Sequence, residues 1–177
     1  MAAFRHIVLI GLSGSGKSTV GRQLAVVLGR PFVDTDELIT AAAGRPIPQI
    51  FAEQGEPAFR ALEREAVQRA VSGPPAVIAT GGGAPVDETN RRALWQGNAV
   101  VWLDAPVDVL ALRLGGAGAG RPLLADPRGP AARLAALHAA RRPVYAEAHV
   151  RIDAVPPPEQ VVAMIRDALQ TIVGTGI

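Results

Sequence analysis

The stretch Ile7-Val-Leu-Ile10-Gly11-Leu-Ser-Gly-Ser-Gly16-Lys17-Ser18, which runs on into Val20, Leu24, Val27 and Leu28, decides how this chain is read. Four consecutive apolar residues have the length and β-branched character of a strand covered on both faces, as in a parallel sheet. The apolar residues from Val20 onward fall at helical spacing. Between the two lies G-x-x-x-x-G-K-S in full, in the strand-to-helix context that gives this motif its meaning. The glycines let backbone N–H groups converge on phosphate oxygens, and the helix N-terminus adds a favourable dipole. A lysine at this spacing reaches the β and γ phosphates, and the hydroxyl after it ligates Mg²⁺. Gly14, Ser15, Gly16, Lys17, Ser18 and Thr19 are therefore the candidate nucleotide contacts, with Lys17 a catalytic candidate and Ser18 a metal ligand.

Further strand-length apolar runs follow at Pro31-Phe32-Val33, Ala76-Val77-Ile78-Ala79, Ala99-Val100-Val101-Trp102-Leu103 and Val150-Arg151-Ile152. Segments of helical period separate them, among them Phe59, Leu62, Ala66 and Val67, and near the C-terminus Val161, Met164, Ile165, Ala168 and Leu169. Strand and helix alternate throughout. This predicts an α/β three-layer sandwich, a five-stranded parallel sheet flanked by helices, with its ligands beyond the carboxyl ends of the strands. The 177 residues suit one domain. Two stretches interrupt the rhythm: residues 34–64, with short helices expected around Gly44, Pro46 and Gly55, and the glycine-rich segment 114–126.

Composition narrows the function classes. Hydrophobic residues make up 49% of the chain but only 4 Phe, 2 Trp and 1 Tyr are present, so the core is built from Ala, Val, Leu and Ile. The net charge is +2 and the arginines alternate with acids, which is not the concentrated basic patch of a nucleic-acid binder. No cysteine is present, which excludes disulfides and thiolate metal sites and fits a cytoplasmic setting. The apolar run at the N-terminus is far too short to span a membrane. Seventeen arginines accompany a single lysine, Lys17. No second lysine exists to build the Asn-Lys-x-Asp motif of a switch GTPase, so ATP is the expected nucleotide.

Candidate acceptor residues lie at strand ends. Asp34-Thr35-Asp36 closes the second strand, where its carboxylates suit a helix cap, a water on Mg²⁺, or a proton from an acceptor hydroxyl. Arg60 follows Phe59, and Thr80-Gly81-Gly82-Gly83 follows the third strand, as a tight turn or as bare backbone for a small ligand. His6, His138 and His149 lack ligand-like spacing and read as structural. Arg91-Arg92 and Glu63-Arg64-Glu65 read as solvated helix faces, and Trp95 and Trp102 as packing residues.

With these residues assembled, the chain resembles the shikimate kinases, P-loop NTPases of the nucleoside monophosphate kinase type. The resemblance spans nearly the whole sequence, through D-T-D, F-A-x-x-G-E-x-x-F-R-x-x-E, G-G-G, R-P-L-L and R-x-P-x-Y in that order. It implies that Asp36 faces the shikimate hydroxyls as the base for the 3-hydroxyl, and that Asp34 sits at the Mg²⁺ water shell. It further implies that Arg60 and Arg141 hold the shikimate carboxylate, with Gly82 and Gly83 contacting the same substrate. Arg121 of R-P-L-L would close over ATP from a lid at 114–126, and residues 34–64 would form the shikimate-binding region. Ile47, Phe51, Phe59, Pro122 and Leu123 match apolar positions around the ring, and Glu63 an acid on the arginine side. The chain departs from the pattern near adenine. Arg113 and Leu114 stand where relatives often have an arginine, and the loop 153–158 lacks the arginine that some carry. The resemblance implies one kinase domain over 1–177 that uses ATP with Mg²⁺, works as a monomer, and has neither nucleic acid nor membrane as a partner. A gluconate or nucleoside monophosphate kinase of the same fold is the alternative, and a nucleotide-binding module without turnover the reading from another class.

Overall fold

The structure, a computed structural model, describes residues 4–115 and 129–174. Its strands are β1 Ile7–Ile10, β2 Phe32–Asp34, β3 Val77–Ala79, β4 Ala99–Asp104 and β5 Val150–Asp153. They form one sheet in the order β2-β3-β1-β4-β5, and every pairing is parallel. The helices are α1 Lys17–Leu28, α2 Thr35–Ala43, α3 Ile47–Ser72, α4 Glu88–Trp95, α5 Val107–Gly115, α6 Pro130–Tyr145 and α7 Pro158–Gly174, with a 3-10 turn at Ala84–Val86. The five runs read from the sequence are the five strands. Their continuous apolar character has the expected cause: Val8, Leu9, Ile10, Val77, Ile78, Val100 and Val101 are all completely enclosed.

β1 lies at the centre, and the chain passes from it first to the β2-β3 side and then to the β4-β5 side. The strand order reverses at β1, which opens a crevice above its carboxyl end. The glycine loop of residues 11–16 occupies that position. Gly11 has φ +143°, and a Cβ there would lie 2.4 Å from the Leu103 carbonyl oxygen, so the loop needs glycine to pass β4.

The 34–64 stretch folds as the glycines and prolines suggested. Gly44, at φ 64°, ends α2, and Pro46 precedes α3. Gly55, at φ 77°, breaks α3 into two legs, and Pro57 opens the second, where its missing N–H removes no helical bond. Ile39, Ile50, Phe59 and Ala66 form a small core of their own under these helices, separate from the main core around the sheet. Phe51 packs on Phe59 with ring centroids 4.5 Å apart.

Two histidines hold the seams of the sheet. His6 is fully buried; its Nδ1 accepts the Ala76 N–H at 3.2 Å, so its Nε2 carries the proton and donates to the Val71 carbonyl at 3.1 Å. His149 Nδ1 accepts the Val100 N–H at 3.0 Å. Burial lowers the pKa of both. Both tryptophans pack, as read from the sequence: Trp102 is buried, and Trp95 donates its indole N–H to the Glu147 carbonyl at 3.0 Å. Among the described residues, no helix is long and apolar enough to cross a membrane. Of the expected lid, Leu114 and Gly115 end α5; Arg121, Pro122, Leu123 and the rest of 116–126 lie outside the described residues.

Candidate active site

The phosphate loop is held by its own backbone. Ser15 N–H bonds the Leu12 carbonyl at 3.2 Å, and Val20 N–H bonds the Gly16 carbonyl at 2.8 Å as α1 begins. Lys17 Nζ donates to the Gly11 and Leu12 carbonyls at 2.9 and 2.8 Å, which folds its ammonium back over the loop. Ser18 Oγ donates to Asp34 Oδ2 at 2.6 Å. Hydroxyl and carboxylate together offer the hard oxygen donors that Mg²⁺ takes, in the small number expected when phosphates and water complete its shell.

Across the crevice, Asp34 and Thr35 have separate partners. Asp34 also caps α2, its Oδ1 accepting the Asp36 N–H at 2.9 Å, so the capping and metal-side readings hold together for one side chain. Thr35 is buried and takes the Gly81 N–H on its hydroxyl at 3.1 Å. This bond draws the start of α2 against the glycine turn, and a Cβ at Gly81 would come within 2.8 Å of Asp36 Oδ1.

The arginines close on the same turn. A Cβ at Gly83 would lie 2.7 Å from Arg60 Nη1, and one at Gly82 3.0 Å from Arg141 Nη1. The three glycines are needed because two guanidiniums and a carboxylate pack where side chains would be. Arg60 is pinned in turn by Glu63 at 2.7 Å and Glu56 at 3.0 Å. Burial works against the Arg60 charge, but the two glutamates outweigh it and raise its pKa. Burial also raises the Glu63 pKa, with Arg60 opposing. Only 1% of Glu63 is exposed, which corrects its reading as part of a solvated run. Arg64 does lie at the surface, paired with Asp87 at 3.3 Å.

The glycine turn borders one cleft of about 620 Å³, lined by the phosphate loop, Asp34, Asp36, Thr80 to Gly82, and Arg113 and Leu114 facing residues 154–158. At one end of the cleft Arg113 donates to the Gly14 carbonyl at 3.4 Å and the Val155 carbonyl at 3.0 Å.

The family model for shikimate kinase matches residues 13–170. The chain belongs to the shikimate kinase family. A shikimate kinase of Symbiobacterium thermophilum is 56% identical over 149 residues, covering 83% of this chain and 85% of that protein. Among solved structures, the shikimate kinase of Acinetobacter baumannii, in complex with shikimate, superposes with a TM-score of 0.89 at 36% identity, over 99% of this chain and 97% of that one. A gluconokinase of Sinorhizobium meliloti matches at a TM-score of 0.65 and 22% identity over 96% and 94% of the two chains, a likeness of fold alone. The shikimate kinase fold expected from the motifs is therefore the fold present.

Lys17 and Ser18, named from the phosphate-loop motif, and Asp34, Asp36, Arg60, Gly82, Gly83 and Arg141, named from the shikimate kinase pattern, stand around one crevice. Reasoning from residue types missed the Thr35 tether, although Thr35 lies within D-T-D. It also missed the burial of Glu63. The signal was available, because Phe59, Glu63, Ala66, Val67 and Ala70 are spaced as one helical stripe and all are buried.

Proposed function

We propose that this chain transfers the γ-phosphoryl group of ATP to the 3-hydroxyl of shikimate, giving shikimate 3-phosphate and ADP, in the shikimate route to chorismate and the aromatic amino acids. The observation that carries this reading is the convergence of Arg60, Arg141 and Asp36 on Gly81-Gly82-Gly83, beside the phosphate loop. Two guanidinium forks suit a carboxylate, and a carboxylate beside them suits a hydroxyl; a hydroxy acid presents both. Arg60 and Arg141 hold the acid group, which fixes the ring so that one hydroxyl faces Asp36. Asp36 accepts the proton as that oxygen attacks the γ-phosphorus, the bond to the β-phosphate oxygen breaks, and ADP leaves. Lys17 and the N–H groups of the loop receive the charge that builds on the phosphate oxygens. Ser18, with Asp34 acting through water, would hold Mg²⁺, which would supply positive charge against the phosphate oxygens. Arg121, by the family resemblance, adds a positive charge from the lid, and Arg113 borders the base.

The cysteine-free sequence supports a cytoplasmic setting, and the family resemblance supports a monomer. Phosphorus NMR of the protein with ATP, Mg²⁺ and shikimate tests the reaction. The γ signal of ATP should give way to one phosphomonoester signal, split by the ring proton at the 3-position. An ester at another hydroxyl would refute the acceptor geometry, and unchanged ATP would refute the reaction.

A further inference from the structure

The last turn of α6 holds a group that the reaction as described does not use. Tyr145 has no exposed surface, and its hydroxyl donates to the Gly82 carbonyl at 2.5 Å. It lies one helical turn beyond Arg141 on the same face. Burial raises the pKa of the phenol to about 12, with the neighbouring Arg141 charge and hydrogen bond opposing. The hydroxyl therefore remains a donor at any ordinary working pH.

The acceptor it holds is the middle carbonyl of the glycine turn. The outer two are already taken, Gly81 by the Ala84 N–H at 3.1 Å and Gly83 by the Val86 N–H at 3.0 Å. With Tyr145 on the third, every carbonyl of the turn has a donor. Among the described residues, no acceptor meets the N–H of Gly82 or Gly83. In a trans peptide the C=O and the following N–H point opposite ways, so a grip on the Gly82 oxygen fixes where the Gly83 N–H points. Glycine has no Cβ to restrict such a peptide, which would otherwise turn readily. Arg141 Nη1 meanwhile lies 3.0 Å from the place of a Gly82 Cβ. The same helical turn therefore grips the glycine loop by its oxygen and lays a guanidinium across it.

We propose that Tyr145 is a positioning residue of the acceptor site, aiming the backbone N–H of Gly83 at shikimate through the Gly82 carbonyl and setting Arg141 in register with it. This rests on the functional reading above. Tyr145→Phe keeps the ring and its packing but removes the donor from a buried carbonyl. The KM for shikimate should rise about tenfold, the effect of losing one such bond in a site built around it. The KM for ATP should move little, and kcat should fall by far less than the KM rises. A shikimate KM equal to wild type in the folded variant overturns the proposal, as does an equal rise in both KM values with a lowered Tm, the mark of a merely structural tyrosine. Absence of shikimate-dependent turnover in the wild type refutes the functional reading instead, and this inference with it.

A second measurement needs no substitution. Tyr145 is the only tyrosine of the chain, so biosynthetic 3-fluorotyrosine labels this site alone. Its fluorine resonance should shift saturably with shikimate and not with a non-hydrolysable ATP analogue alone. No shift at saturating shikimate would overturn the role.

Discussion

Asp34 and Thr35 use their side-chain oxygens on Ser18, the Asp36 amide and the Gly81 amide, and those three bonds hold the backbone on which Asp36 stands. Asp36 lines the cleft beside them. The division predicts different phenotypes for neighbouring residues. Asp36→Asn preserves size and hydrogen bonding but cannot take a proton, so kcat should fall by about 10²–10⁴-fold, the usual contribution of a positioned base. Nucleotide affinity, measured by titration with an ATP analogue, should stay within about twofold, because no phosphate contact is removed. Unchanged turnover would remove Asp36 as the base. Glu63 acts at one remove. Without it, Arg60 would lose its 2.7 Å partner and be held by Glu56 alone, which leaves its Nη1 beside Gly83 unsupported.

At the scale of elements, the site is a meeting of helix starts and ends with strand ends: α1 and α2 by their first turns, α6 by its last, and α3 by the face that carries Arg60 and Glu63. The glycine turn after β3 is the ledge they share. Gly83 has φ −87° and ψ −19°, which alanine adopts without strain, so Gly83→Ala acts through space alone. Its Cβ would fall 2.7 Å from Arg60 Nη1 and displace that guanidinium. The KM for shikimate should rise while the melting temperature stays near wild type; an unchanged KM would show that Arg60 does not need its place. This layer was only partly legible in the sequence. The breaks at Gly44, Pro46 and Gly55 could be read because each imposes a backbone constraint of its own. Thr35 and Tyr145 could not be given partners, since a hydroxyl is identified by what it bonds and both partners lie on a distant backbone. Glu63 looked solvated because its neighbours in sequence are charged, whereas the stripe with Phe59 and Val67 decides its burial.

For the whole molecule, the architecture was legible because the parallel strands β1, β3 and β4, covered on both faces, are written as unbroken apolar runs that alternate with segments of helical period. The histidines of the sheet were less so, since only the structure shows that His6 and His149 accept backbone N–H groups beside β3 and within β4. Each must be neutral to accept, and burial depresses both pKa values from the ordinary 6.5. The unfolded chain therefore binds protons that the folded chain refuses. Their contribution to stability is complete above about pH 6.5 and is lost as pH falls from there through the folded values. Denaturant unfolding should show the free energy decreasing from about pH 7.5 to about pH 5, with a shallower decline in His6→Gln. Equal slopes would mean that His6 does not titrate on unfolding. The central claim is that these elements assemble a pocket for one hydroxy acid, and ADP release with shikimate, gluconate and a panel of nucleoside monophosphates tests it most directly. The account predicts that shikimate stimulates ADP formation far above the rate without acceptor and that the others do not. ADP formation stimulated by gluconate or a nucleotide but not by shikimate would contradict it.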